Sequence, residues 1–102
     1  MQAVYTMTQI KEILYPILAS HPIDRAVLFG SYAKGTARPK SDIDLMIDSG
    51  GKIRGIDFFG VRADIREALN IPVDLIDTRQ LVRGGRTEQE IINTGVTIYE
   101  RA

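Results

Sequence analysis

Apolar residues recur at Ile10, Ile13, Leu14, Ile17 and Leu18, the three- and four-residue spacing that lines one face of a helix. Thr6-x-x-Gln9 precedes the stripe, a pairing in which hydroxyl and amide side chains satisfy free backbone donors of a first turn. Pro16 lacks the amide that would bond the Glu12 carbonyl, so a kink or early break is expected there, with His21-Pro22 closing the segment. The pattern then changes. Ala26-Val27-Leu28-Phe29 is a continuous apolar run ending at Gly30, as expected of a short strand buried on both faces. Ser31 is placed to cap a short helix through Lys34, and Gly35 to Ser41, containing Arg38-Pro39, reads as a loop.

A second strand is predicted from Asp42 to about Asp48, followed by a turn at Ser49-Gly50-Gly51. Phe58, Val61, Ile65, Ala68 and Leu69 then mark a helical stripe, with Arg62, Asp64, Arg66 and Glu67 on the wet side. Asn70 suits the end of that helix before Pro72, and Val73 to about Ile76 predicts a third strand. Beyond a polar connection around Leu81 to Arg86, Thr87-x-x-Glu90 predicts the capped start of another helix and Gly95 its stop. Val96-Thr97-Ile98-Tyr99 completes the series as a small last strand.

This order predicts an α/β chain (α+β in some schemes), a small mixed β-sheet with flanking helices. Strand, helix, strand implies that the second and third strands are parallel with a right-handed crossover. Asp42, Asp44 and Asp74 then collect at one edge of the sheet, on the face opposite Ile43, Leu45, Ile47, Val73 and Leu75. Gly30-Ser31 ends the first strand and reaches that edge only if the first strand runs antiparallel to the second.

Composition narrows the class. At 102 residues, 44% hydrophobic and 25% charged, residues 1–102 fit one domain, and no internal repeat, low-complexity tract or linker interrupts them. Thirteen basic and thirteen acidic residues cancel, which argues against an extensive nucleic-acid surface or binding to acidic membranes. The absence of cysteine excludes disulfides and thiolate metal sites. Met1-Gln2-Ala3-Val4-Tyr5-Thr6 lacks the features of a secretion signal and no apolar run reaches membrane-spanning length, so a cytoplasmic protein is expected.

The acids carry the candidate chemistry. Residues two apart on a strand project to one face about 6 to 7 Å from each other. At an effective dielectric of 20, like charges at that distance repel by roughly 2.5 kcal/mol. Asp42 and Asp44 therefore call for a counter-charge, which a divalent metal ion would supply. Gly30 lets backbone approach a ligand closely, and Ser31 adds a hydroxyl and an amide suited to a phosphate. Carboxylates, an oxygen-binding cation and a phosphate cradle are the parts of metal-assisted phosphoryl or nucleotidyl transfer.

Gly30-Ser31, ten intervening residues, Asp42-x-Asp44 and a later acid at Asp74 form a long pattern. On these residues the chain resembles the minimal nucleotidyltransferases of the DNA polymerase beta superfamily, from the helix before Leu28-Phe29-Gly30-Ser31 to Gly95-Val96-Thr97-Ile98-Tyr99-Glu100. The resemblance implies the nucleotidyltransferase fold. It implies that Asp42 and Asp44 bind two magnesium ions carrying a nucleoside triphosphate, ATP foremost, and that Gly30 and Ser31 hold its outer phosphates. Asp74 would ligate one metal and help deprotonate the acceptor hydroxyl. Stand-alone chains of this size look most like MntA-like antitoxins of HEPN/MNT toxin–antitoxin systems, which are thought to adenylylate a tyrosine of a helical HEPN ribonuclease toxin. Two alternatives stand beside this: an antitoxin that neutralises its partner by contact alone, and a small-molecule nucleotidyltransferase.

Other residues carry plainer expectations. Lys34, Arg38 and Lys40 read as surface, His21 as a loop residue, and Asp48 and Asp77 as turn or cap residues. At least one of Phe58 and Phe59 belongs to the core, while Tyr32, just after the Gly-Ser turn, is a candidate lining residue for a nucleotide pocket.

Overall fold

The computed structural model describes residues 4–101; of the amino-terminal stretch, Met1 to Ala3 lie outside the described residues. Helix α1 (Met7–Ser20) starts where the Thr6 hydroxyl accepts from the Gln9 amide at 3.1 Å and Gln9 Oε1 accepts from the Thr6 amide at 2.8 Å. The helix runs on through Pro16 to Ser20, so the expected early break does not occur. Glu12 and Pro16 lie on the exposed side, where water can satisfy the carbonyl that loses its donor. The opposite side anchors the helix, with Ile10, Leu14 and Leu18 fully buried, each worth about 1.5–3 kcal/mol of transfer free energy.

Strand β1 (Arg25–Phe29) is buried from Ala26 to Phe29, as a run apolar at every position requires. A single turn, α2 (Ser31–Lys34), follows, then β2 (Ile43–Asp48), α3 (Ile56–Leu69) and β3 (Val73–Asp77). Val61, Ile65 and Leu69 face the core and Phe58 packs against it, but Ala68 of the predicted stripe is exposed. Asn70 ends α3 in the left-handed region at φ 55°. Asp77 caps a 3-10 turn (Thr78–Gln80) that the apolar pattern gave no reason to expect, accepting from the Arg79 amide at 3.1 Å. Asp48 accepts from the Gly50 amide at 3.1 Å, so both acids act as the turn and cap residues expected of them.

Helix α4 (Arg86–Thr94) is capped by Gly85, so Thr87 lies inside the helix rather than at its cap, and Glu88 instead accepts from the Gly84 amide at 2.8 Å. Gly95 stops the helix before β4 (Val96–Glu100). The strands form one mixed sheet in the order β3-β2-β1-β4, with β1 antiparallel to both neighbours and β2 parallel to β3. Helices α1 and α3 cover one face over Leu28, Ile43, Leu45, Ile47, Val73 and Leu75. The other face is not bare, as a division into one packed and one acid-bearing side would have it. Val27, Phe29 and Met46 are buried there under Ile91 of α4 and Leu81, which leaves the acids at the uncovered end of that face. Among the described residues no helix is long and apolar enough to cross a membrane.

Candidate active site

Strand register builds the site. Antiparallel pairing of β1 and β2 sets Phe29 opposite Asp44, and parallel pairing of β2 and β3 sets Asp44 opposite Asp74. Phe29, Asp44 and Asp74 therefore stand in one row on one face, and Gly30 follows directly beside Asp44. Strand β2 begins at Ile43, so Asp42 lies just ahead of the strand rather than within it, and is exposed.

Gly30 has φ 75° and ψ −152°, a conformation in reach of glycine and few others. A Cβ there would overlap Asp44 Oδ2 and lie 3.1 Å from Asp44 Cγ. The backbone of the turn is thus pressed against the carboxylate, which requires that residue 30 have no side chain. Gly30 is itself the residue that caps α2. Ser31 is the first helical residue, not the cap, and its hydroxyl and amide stand one residue beyond the Asp44 contact.

Charge in this corner is uncompensated. Burial, and after it the carboxylates of Asp74, Glu90 and Asp42, push the Asp44 carboxyl up from 3.8 to about 6. Among the described residues the one ion pair joins His21 to Asp64 at 3.2 Å, so none of the acids of this corner is ion-paired. A raised folded-state value means that Asp44 contributes stability below its unfolded value, near 3.8, and that this contribution is lost as pH climbs through about 6. Discounted for solvent screening of a partly exposed group, the loss from pH 4 to pH 7.5 is expected to be about 1 kcal/mol. Urea unfolding of the metal-free protein at the two pH values measures it, and Asp44→Asn should remove that part of the pH dependence.

Glu90, which the sequence marks only as the far member of the Thr87-x-x-Glu90 helix-start pattern, joins these acids in the structure. The signal available for it is topological: β4 pairs with β1, so the helix before β4 must end beside the Gly30 turn. Thr94, one turn after Glu90, marks that meeting, its hydroxyl accepting from the Gly30 amide at 3.0 Å. A cleft of about 520 Å³ lies alongside, lined by Lys34, Arg86, Glu90 and Thr94 among others. Tyr32 is largely buried and lines a neighbouring cleft with Tyr5, Met7 and Lys34. Lys34, Arg38 and Lys40 are exposed, as expected.

The donors fit a hard cation. Among the described residues no three acidic or histidine side chains close on one point, so the protein does not form a complete cage. Magnesium does not need one, since it keeps several waters and takes one or two carboxylates together with substrate phosphate oxygens. Asp42 and Asp44 beside the Gly30 turn are the carboxylates available for that partial set, and the repulsion from neighbouring acids, second to burial in raising Asp44, is what a divalent ion would relieve.

Comparison with known proteins agrees with this geometry. The family model described as "Polymerase beta, Nucleotidyltransferase" matches residues 9–102. Two proteins of Methanocaldococcus jannaschii are similar in sequence: "Putative protein adenylyltransferase MJ0435", 33% identical over 70 residues, 69% of this chain and 75% of that protein, and "Putative protein adenylyltransferase MJ1215", 35% identical over 75 residues, 70% and 87%. Among solved structures, a toxin–antitoxin with AMP-PNP superposes with a TM-score of 0.76 at 24% identity, covering 89% of this chain and 73% of that one. A tri-AMPylated Shewanella oneidensis HEPN toxin in complex with MNT antitoxin gives a TM-score of 0.72 at 19% identity, covering 94% and 74%. At these identities the structural likeness concerns the fold.

Proposed function

The chain belongs to the polymerase beta nucleotidyltransferase family, and on that premise we propose that it transfers AMP from ATP to a hydroxyl of a partner protein, a tyrosine of a HEPN-type toxin, and so acts as its antitoxin. The observation that carries this reading is the Asp44–Asp74 pair in register across β2 and β3, with the side-chain-free Gly30 turn against it. The naming of both archaeal relatives as protein adenylyltransferases supports the class of acceptor. The tri-AMPylated toxin bound to a chain of the same fold supports its identity.

Each residue then has a task. Gly30 lets the outer phosphates approach the backbone, and Ser31 donates to them from its amide and hydroxyl. Asp42 and Asp44, with Asp74 at one of the ions, are the residues that would hold magnesium, two ions in the two-metal scheme, which when bound offset charge on the triphosphate and on the attacking and leaving oxygens. Asp74 lies on the edge strand β3 and is exposed, open to an incoming protein chain. It takes the proton of the acceptor hydroxyl as that oxygen bonds to the α-phosphorus, the bond from the α-phosphorus to its bridging oxygen breaks, and pyrophosphate leaves.

The test is incubation with ATP labelled at the α-phosphate, magnesium and a HEPN-type toxin. Label should move to a toxin tyrosine as its ribonuclease activity falls. Neutralisation without label would establish the contact mechanism instead, and label on small hydroxyl compounds but no protein would establish the small-molecule alternative. The same assay with all four nucleoside triphosphates reads base preference.

A further inference from the structure

Helix α4 enters the site through its last turn, and does so by a hydroxyl that bonds in two directions. Thr94 Oγ1 accepts from the Gly30 amide at 3.0 Å and donates to the Glu90 carbonyl at 2.8 Å. Its rotamer is therefore held by its own helix while its lone pair is aimed at the turn. Gly95 makes this approach possible. A Cβ at Gly95 would lie 2.5 Å from the Ile91 carbonyl oxygen and 3.0 Å from Val27 Cγ1, so a side chain there would have to displace the closing turn of α4, whose end also lies close against β1. Gly30 is buried, which makes Thr94 the partner that keeps its amide satisfied.

We propose that Thr94 is a positioning residue for nucleotide binding: by holding the Gly30 amide it fixes the peptide plane of the turn and aims the following amide and hydroxyl, those of Ser31, at the triphosphate. The inference rests on the reading of Gly30 and Ser31 as the phosphate-holding turn. It adds to that reading a cause for the turn's geometry, in a helix remote in sequence. Without the hydroxyl, the Gly30 amide rotates to find another acceptor, Ser31 moves with it, and the loss falls on ground-state binding of the nucleotide. The Thr94 hydroxyl bonds no acid of β2 or β3, so the chemical step should be largely retained.

Thr94→Val, which keeps the shape and removes the hydroxyl, is expected to raise the KM for magnesium ATP about tenfold while kcat stays within about threefold, the size of effect that follows a lost buried hydrogen bond. Thr94→Ser, which keeps the hydroxyl, should return KM to within about twofold of the parent. An unchanged KM in Thr94→Val, or a Thr94→Ser protein as impaired as Thr94→Val, overturns the proposal, the second outcome because it would make the methyl rather than the hydroxyl responsible. If Thr94→Val does not fold, hydrogen exchange at the Gly30 amide decides: slow in the parent and in Thr94→Ser supports the proposal, fast in the parent overturns it. Asp44→Asn run in parallel separates the two levels. Its full activity would remove the reading of the site itself, whereas its inactivity beside a normal Thr94→Val would remove only the role of Thr94.

Discussion

Asp44→Asn is expected to lower the rate of AMP transfer by about a thousandfold, equivalent to roughly 4 kcal/mol of lost transition-state stabilisation, without weakening the fold. Asparagine keeps the shape and one acceptor oxygen but carries no charge, so it cannot anchor a divalent ion as a carboxylate does. The same change relieves the burial and the repulsion from Asp74, Glu90 and Asp42 that push the Asp44 carboxyl up. The metal-free variant should therefore unfold no earlier than the parent at pH 7.5. This opposition of activity and stability marks a residue kept for chemistry at the expense of folding. Single-turnover transfer to the toxin, paired with thermal unfolding, reads both quantities. A variant that transfers within tenfold of the parent would remove Asp44 from the machinery. One that transfers nothing yet still silences the toxin would show that contact suffices.

The site was legible in the sequence to the extent that strand alternation controls it. Once Asp44 and Asp74 are placed on successive parallel strands with apolar neighbours pointing the other way, their common face follows from a period of two, and the register confirms it with Asp44 directly opposite Asp74. The direction of β1 was likewise forced by the need to bring Gly30 to the same edge. What strand logic could not reach is what α4 contributes. Glu90 and Thr94 arrive there through the packing of Ile91 on Val27, Phe29 and Met46, a tertiary contact with no counterpart in local spacing. Errors at helix starts have a related origin. Thr87 and Ser31 are both good capping residues, but Gly85 and Gly30 take the caps because the chain enters those helices through conformations set by a tight turn and by the Asp44 contact. Pro16 does not break α1, since the burial of Ile10, Leu14 and Leu18 on the far side of the helix outweighs one missing hydrogen bond.

Gly30→Ala is expected to reduce transfer by about a hundredfold or more, the scale on which a displacement of about 1 Å acts, and to destabilise the fold by about 1–3 kcal/mol. Two separate penalties combine. Alanine at φ 75° and ψ −152° sits where a Cβ clashes with its own backbone, and the same Cβ would occupy the position of Asp44 Oδ2. The first penalty affects folding alone, whereas the second must swing the carboxylate away from Asp74 or lift the turn away from the sheet, and either movement separates the acids from the phosphate-holding residues. Gly55→Ala isolates the first. Gly55 also has positive φ, 55°, but a Cβ there meets nothing within 4 Å, and it lies at the start of α3, outside the acid row. Equal losses of stability with activity lost only in Gly30→Ala would assign the effect to the Asp44 contact. Activity retained in a folded Gly30→Ala protein would mean that the close approach of turn and carboxylate is not needed for transfer, and with it would go the reason for a glycine at this position.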